Sequence, residues 1–227
     1  MPINPRKARV SRATRREEIA ALLFAAAERQ IVDGVSFAAI SVEQLITGAE
    51  IARSTFYVYF EDKGALVLEL ADRVTRQVGE AASSWFSLQP GATRDDLRAA
   101  LGEIVAEYAR HRHMLAAVAE AAAYDGRVRA QYAGVMERRF GDMSASFREQ
   151  QLSGLIDPDL DLERVAPWLA WMIERGLYQL MSDSDIPAAD RLDGMTTVVW
   201  ETLYARAASK SVRPNRNGQT SVEADPV

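Results

Sequence analysis

The side chains best suited to chemistry in this sequence fall between positions 41 and 63: Ser41, Arg53, Ser54, Thr55, Tyr57, Tyr59 and Lys63. Arginine is the common reader of guanine, and serine and threonine hydroxyls serve phosphates or base edges. A lysine that opens a helix adds charge where unpaired backbone N–H groups already favour a phosphate. Such groups bind a polyanion; they do not make or break bonds. The rest of the chain offers little for catalysis. Cysteine is absent, which removes thiolate nucleophiles, thiolate metal sites and disulfides. His111 and His113 form a His-x-His pair, but no further ligand stands at a suitable spacing, and charge compensation at a helix end is the simpler account. Asp157, Asp159 and Asp161 imitate a calcium loop only superficially, and capping explains them. No Ser–His–Asp or dimetal carboxylate pattern is present. The expectation is a protein that is not an enzyme and holds no metal or cofactor.

Charge is unevenly spread. Arg6, Lys7, Arg9, Arg12, Arg15 and Arg16 precede the first acidic residue, yet the whole chain carries −5. A basic end on an acidic body suits contact with a polyanion, and a solvated tail fits the charge equally well. No apolar run approaches the ~20 residues of a membrane span, and no apolar segment follows the basic end as in a secretory signal. A soluble, cytoplasmic protein is expected.

The elements that must position these residues are helices, because apolar residues recur at helical spacing nearly everywhere. Ile19, Leu22, Leu23 and Ala26 make one face of a first helix over about 14–31, stopped near Gly34. Ser41 and Gln44 form a capping box for a short helix ending near Gly48. A third helix runs from about Ala52 to Tyr59, joined to the second by Ala49, Glu50 and Ile51. Leu45, Ile51 and Phe56 would pack this pair against the first helix, a helix-turn-helix layout whose second helix enters the major groove. Asp62 caps a long fourth helix carrying Leu66, Leu70, Val74, Val78 and Trp85. Beyond the break at Pro90-Gly91, helices are expected over about 95–110, 113–124 and 126–151, then 161–181 with Pro167 near its start. A loop over 182–185 precedes a last helix opened by Pro187 and running to about 208. The fold class is all-α: a basic arm over 1–13, a three-helix domain over 14–62, an antiparallel helical body over 63–208 and a polar tail over 209–227.

The run from Ile40 to Leu45, followed by 49–63 with its core Thr55-Phe56-Tyr57-Val58-Tyr59-Phe60 and Lys63, resembles the signature of TetR-family transcriptional regulators. The likeness covers about residues 14–70. Within the family, Ile-Ser-Val-x-x-Leu at 40–45 and Leu-x-x-Arg-Val at 70–74 are similar to the EthR-like branch. The resemblance implies that Thr55, Tyr57 and Lys63 touch DNA, that Arg53 and Ser54 are variable recognition positions, and that Phe56 and Phe60 are core. Two departures stand out. Glu50 replaces a customary glycine that relieves a positive φ, and Ala52 replaces a capping serine or threonine.

The body is rich in aromatics and methionine, which suit an adaptable apolar pocket and an ordinary core alike. On the helices that surround the cavity in relatives, the ligand-lining candidates are Tyr108, Met114, Tyr132, Met136, Trp168, Trp171 and Met172. Glu107, Glu120 and Glu174 are candidate polar handles, and the expected ligand is apolar, neutral or weakly polar. The last two helices resemble the dimer-forming pair of the family, so a homodimer on a palindromic double-stranded DNA operator is implied. The implied mechanism is repression relieved by a small apolar effector that shifts the fourth helix. The alternative is a hydrophobic-ligand carrier with a degenerate DNA-binding head.

Overall fold

A computed structural model describes residues 11–180 and 187–211. Every regular element among them is helical. The first, α1 (Arg12–Val32), begins where the Ser11 side chain accepts from the Thr14 N–H at 3.0 Å. The helix therefore takes in part of the expected arm; residues 1–10 of that arm lie outside the described residues. Gly34 ends it at φ 88°, which frees Val35 N–H to reach back to the Gln30 carbonyl at 3.0 Å. A 3-10 turn (Phe37–Ala39) leads to α2 (Val42–Gly48), opened by the Ser41–Gln44 capping box, and then to α3 (Arg53–Tyr59). Ile19, Leu23, Leu45, Phe56 and Phe60 are all buried and tie these short helices into one small core. Seven residues cannot hold a helix alone, so α2 and α3 exist because this core holds them.

The body starts with α4 (Lys63–Ala81), capped by Asp62, whose carboxylate accepts from the Ala65 N–H at 2.8 Å. The chain turns at Ala82 into a one-turn helix, α5 (Ser83–Phe86), so Trp85 lies beyond α4 rather than on it. The two helices expected between 95 and 124 are one, α6 (Arg94–Tyr124), opened by a Thr93–Asp96 capping box. The His-Arg-His segment contains no breaker; His111 instead bonds to Glu107 one turn earlier at 2.9 Å, which is support within a helix rather than at its end. Asp125 caps α7 (Gly126–Leu152). It is followed by α8 (Leu162–Leu180) and α9 (Ala188–Leu203), then by a separate short helix, α10 (Ala205–Ser211), where one long helix was expected. The expected loop over 182–185 and the tail from 212 onward lie outside the described residues.

α4 lies against both α6 and α7, α7 packs on α8, and α6 packs on α9. A closed set of buried hydrogen bonds pins the far end of this bundle. The Trp85 indole N–H donates to the Tyr204 hydroxyl at 2.8 Å, and that hydroxyl donates to Gln150 Oε1 at 2.8 Å. Gln150 Nε2 in turn donates to the Trp85 carbonyl at 2.8 Å. Each polar group buried here is satisfied by another. Tyr204→Phe keeps the ring but strands an indole N–H and an amide oxygen in the core. Chemical denaturation at fixed protein concentration should show a loss of at least about 2 kcal/mol; a loss well under 1 kcal/mol would mean water can replace the hydroxyl.

Candidate nucleic-acid interface and effector cavity

The candidate reading surface is the outer face of α3. Phe56 points inward, fully buried, with its ring 5.2 Å edge-on from Tyr57 and 5.7 Å from Phe60. That anchoring leaves Arg53, Ser54, Tyr57 and Val58 exposed, with Thr55 and Tyr59 half-buried. Arg53 is not a loose side chain. It bonds to Glu43 of α2 at 2.8 Å, and its guanidinium lies 5.6 Å over the Tyr57 ring. Both members of the ion pair are about two-thirds exposed, so the bond is weak and gives way to a phosphate or a base at little cost. It nonetheless holds Arg53 and Tyr57 side by side before anything binds. The hydroxyl of Ser41 is committed to the Gln44 N–H.

Lys63 is used differently from its expected role. Its ammonium donates to the carbonyls of Phe37, Ala38 and Ile40, each at 2.9 Å, and stands 4.8 Å over the Phe37 ring. All three N–H donors are spent inside the protein, so contact with a phosphate through this side chain would have to be electrostatic. Burial lowers the Lys63 pKa, and the charge of Glu120 works against that shift. Arg16 is likewise diverted from the basic arm: it pairs with Glu69 of α4 at 2.8 Å and lies 4.9 Å over Phe60. No pattern in the sequence distinguishes these two cations from those facing outward, because their partners are backbone carbonyls and a residue 53 positions away.

The turn between α2 and α3 bears out one expectation directly. Glu50 has φ 54°, the left-handed conformation, and it is the one non-glycine residue to do so among the described residues. Ile51 N–H closes the turn on the Ile46 carbonyl at 3.1 Å. Ala52 starts α3 with no side-chain cap.

Within the body lies a cavity of about 460 Å³ walled by α4, α6, α7 and α8. Its apolar lining includes Trp85, Phe86, Ile104, Phe140 and Leu177. Of the predicted lining residues, Tyr108, Tyr132 and Met136 are on this wall. Trp171 lines an adjoining space that shares Tyr108, Leu115, Tyr132 and Glu174 with the cavity, and it touches Phe140 edge-on at 5.1 Å. Met114 is instead buried in the core, while Trp168 and Met172 face outward, 81% and 47% exposed. The shared helical period makes inward and outward faces of α8 equally apolar in sequence, which is why those two were misplaced. Val78, Ile104, Met143 and Ile173 also line the wall and were not among the candidates, because helical spacing does not separate cavity-facing from core-facing apolar residues. Of the three candidate handles, Glu174 is on the cavity wall. Glu107 binds Arg110 and His111, and Glu120 accepts from the Phe37 N–H at 3.1 Å. Burial and the nearby charge of Glu174 push the Tyr132 phenol up to about 12 and raise Tyr108 as well.

Residues 97–205 match the family described as "Transcriptional regulator EthR, C-terminal domain". The HTH-type transcriptional regulator EthR of Mycobacterium tuberculosis is 27% identical over 203 residues, 88% of this chain and 93% of that protein. Its namesake in Mycolicibacterium smegmatis is 24% identical, covering 86% of this chain and 90% of its own length. The chain is similar over most of its length to the transcriptional regulator EthR, and its C-terminal part matches the EthR C-terminal domain family.

Solved structures agree on the fold. GusR of Salmonella enterica superposes with a TM-score of 0.63 at 18% identity, covering 86% of this chain and 98% of that one. A putative TetR-family regulator from Syntrophomonas wolfei gives 0.64 at 13% identity, covering 92% and 100%. This EthR-like chain is thus a DNA-binding transcriptional regulator with an N-terminal helix-turn-helix and a helical C-terminal domain. Among its described residues, no helix is long and apolar enough to cross a membrane.

Glu50 is the place where this regulator's local strain and surface charge meet. Glycine there would relieve about 1 kcal/mol of left-handed strain, but it would also loosen the unfolded chain by ~0.4–1 kcal/mol. The two nearly cancel, so stability should change little in Glu50→Gly. Removing a negative charge beside the reading face should instead tighten DNA binding several-fold at low salt, with the gain fading as salt rises. Unchanged affinity across a salt series would show that position 50 stands clear of the phosphates.

Proposed function

We propose that this regulator is a repressor that holds a palindromic or near-palindromic operator as a homodimer and releases it when a small, largely apolar molecule enters the cavity. The observation that carries this reading is the double duty of α4. Its N-terminal end is fixed to the head through Lys63 and through Arg16–Glu69, and Asp62 just before it bridges to Arg127 of α7 at 2.7 Å. Its C-terminal half, from Thr75 to Glu80, is cavity wall. At 1.5 Å per residue the helix is a rod about 28 Å long, and a small tilt at one end displaces the other. An effector acts only if it binds the released conformation better than the DNA-bound one.

The proposed DNA contacts are Arg53, Ser54, Thr55, Tyr57 and Tyr59 of α3, with Ser41 at the start of α2 and the charge of Lys63 behind them. The proposed dimer face is the outer surface of α8 and α9. Met172 and Val198 are 47% and 42% exposed there and flank an apolar groove with Met195 and Leu177. A second copy that covers this face would bury it by a two-fold, self-complementary contact.

The first test is binding to DNA from upstream of the regulator's own gene at two salt concentrations. Wild type should bind tightly and with a steep salt dependence, and Tyr57→Ala should lose at least about ten-fold. Binding no better than to random DNA, equal in wild type and variant, would overturn the reading for that operator. The double variant Met172→Arg, Val198→Arg should sediment as a monomer and bind a full palindromic site no better than a half-site. A variant that stays dimeric would move the interface to another face.

A further inference from the structure

The cavity ends on a group that a purely apolar effector would leave without a partner. Glu174 stands on its wall, and among the described residues no hydrogen bond or salt bridge reaches its carboxylate. Burial holds that carboxyl above its ordinary range, opposed by the charge of Arg175 next to it. Glu174 is half-buried, and a ligand that fills the cavity would strip more water from its carboxylate, a cost that a partner of opposite charge offsets.

What surrounds Glu174 is selective about charge. Tyr108 of α6 and Tyr132 of α7 line the same end of the cavity, and Trp171 and Tyr178 line the adjoining space. The faces of these rings are negative in potential and attract cations. The cation present there, Arg175, is exposed and lies 5.4 Å over the Tyr178 ring. On the α4–α7 side of the cavity, Arg76 and Arg139 are close to Asp72 and Asp142, at 3.3 and 3.7 Å. Behind the Glu174 end, the wall is apolar through Phe86, Ile104 and Leu177. An acid-headed ligand would meet repulsion at Glu174. A neutral one would leave the carboxylate uncompensated. A protonated amine would supply both a counter-charge and a partner for the rings.

We propose that the effector of this cavity carries a cationic amine on an apolar body, the ammonium seated against Glu174 beside Tyr108 and Tyr132 and the body filling the space of about 460 Å³ behind them. This rests on the reading of the cavity as the effector site and adds the class of molecule it takes.

Three probes of equal chain length separate the possibilities: n-decylamine, n-decanol and n-decanoate, titrated calorimetrically into the full-length protein at neutral pH. Decylamine should bind at least about ten-fold more tightly than decanol, with decanoate weakest. Glu174→Gln should remove the amine's advantage and leave decanol affinity unchanged. Equal or tighter binding of decanol or decanoate to wild type would overturn the proposal, as would an amine preference that survives in the variant. Operator release measured in parallel distinguishes the two levels of failure. If decanol binds and releases DNA with no preference for the amine, the effector cavity stands and the cationic head falls. If no probe binds while DNA binding is intact, the effector-cavity reading fails and takes the inference with it.

Discussion

An ammonium group placed at the joint between two domains must have three acceptors or it will not stay there. Lys63 finds them in the carbonyls of Phe37, Ala38 and Ile40 along a 3-10 turn and its cap; the Phe37 carbonyl also accepts from the Ile40 N–H at 3.2 Å. The same contact meets two needs. It pairs carbonyl groups that a terminated helix leaves open, and it fixes where α4 begins relative to α2 and α3. The Phe37 N–H is taken by Glu120 of α6, so one short turn of the head is gripped by two helices of the body, α4 and α6. The orientation of the reading face follows from that grip.

From this joint outward, the body is built on long helices and the head on short ones, for different reasons. α6 runs 31 residues and α7 27 residues with one side against neighbours throughout. Helices of that length hold much of their own structure. α2 and α3 hold none of theirs, and depend on Leu45, Phe56 and Phe60 being driven into a common core. A head held together this way has little freedom to change shape internally. Motion is cheaper at its joint, where the contacts are charged and partly wet, such as Asp62–Arg127 with both partners about half exposed.

The head was legible in the sequence because its signals are local. A capping box at Ser41–Gln44, a Gly34 stop and a tight run of aromatic and hydroxyl residues each need only a few neighbouring positions. The positive φ at Glu50 was legible only through the resemblance, in which a glycine customarily stands at this turn. The cavity was only half legible. Periodicity assigns a residue to the apolar side of a helix, but α8 is apolar on two sides, one toward the cavity and one outward. Trp168 and Met172 belong to the second, and Ala170, Ile173 and Leu177 to the first. The continuity of α6 through His111 and His113 was hidden because a run of polar residues reads as a loop until Glu107 is seen to bridge it. The role of Lys63 was hidden because backbone carbonyls leave no trace in side-chain spacing.

The left-handed residue at 50 has a wider meaning. The bend between α2 and α3 is held by backbone bonds at Ala49 and Ile51 and by the partly buried Ile51 side chain, with the Glu50 side chain exposed and outside all of it. Shape and charge at this corner are therefore written in separate places. A single codon change there alters how strongly the surface is drawn to any polyanion without rebuilding the helix that reads it. On the proposed reading of α3, such a corner would act as a dial for overall grip, set apart from the choice of sequence, so that occupancy of many sites would drift up or down together while the ranking among them stayed the same.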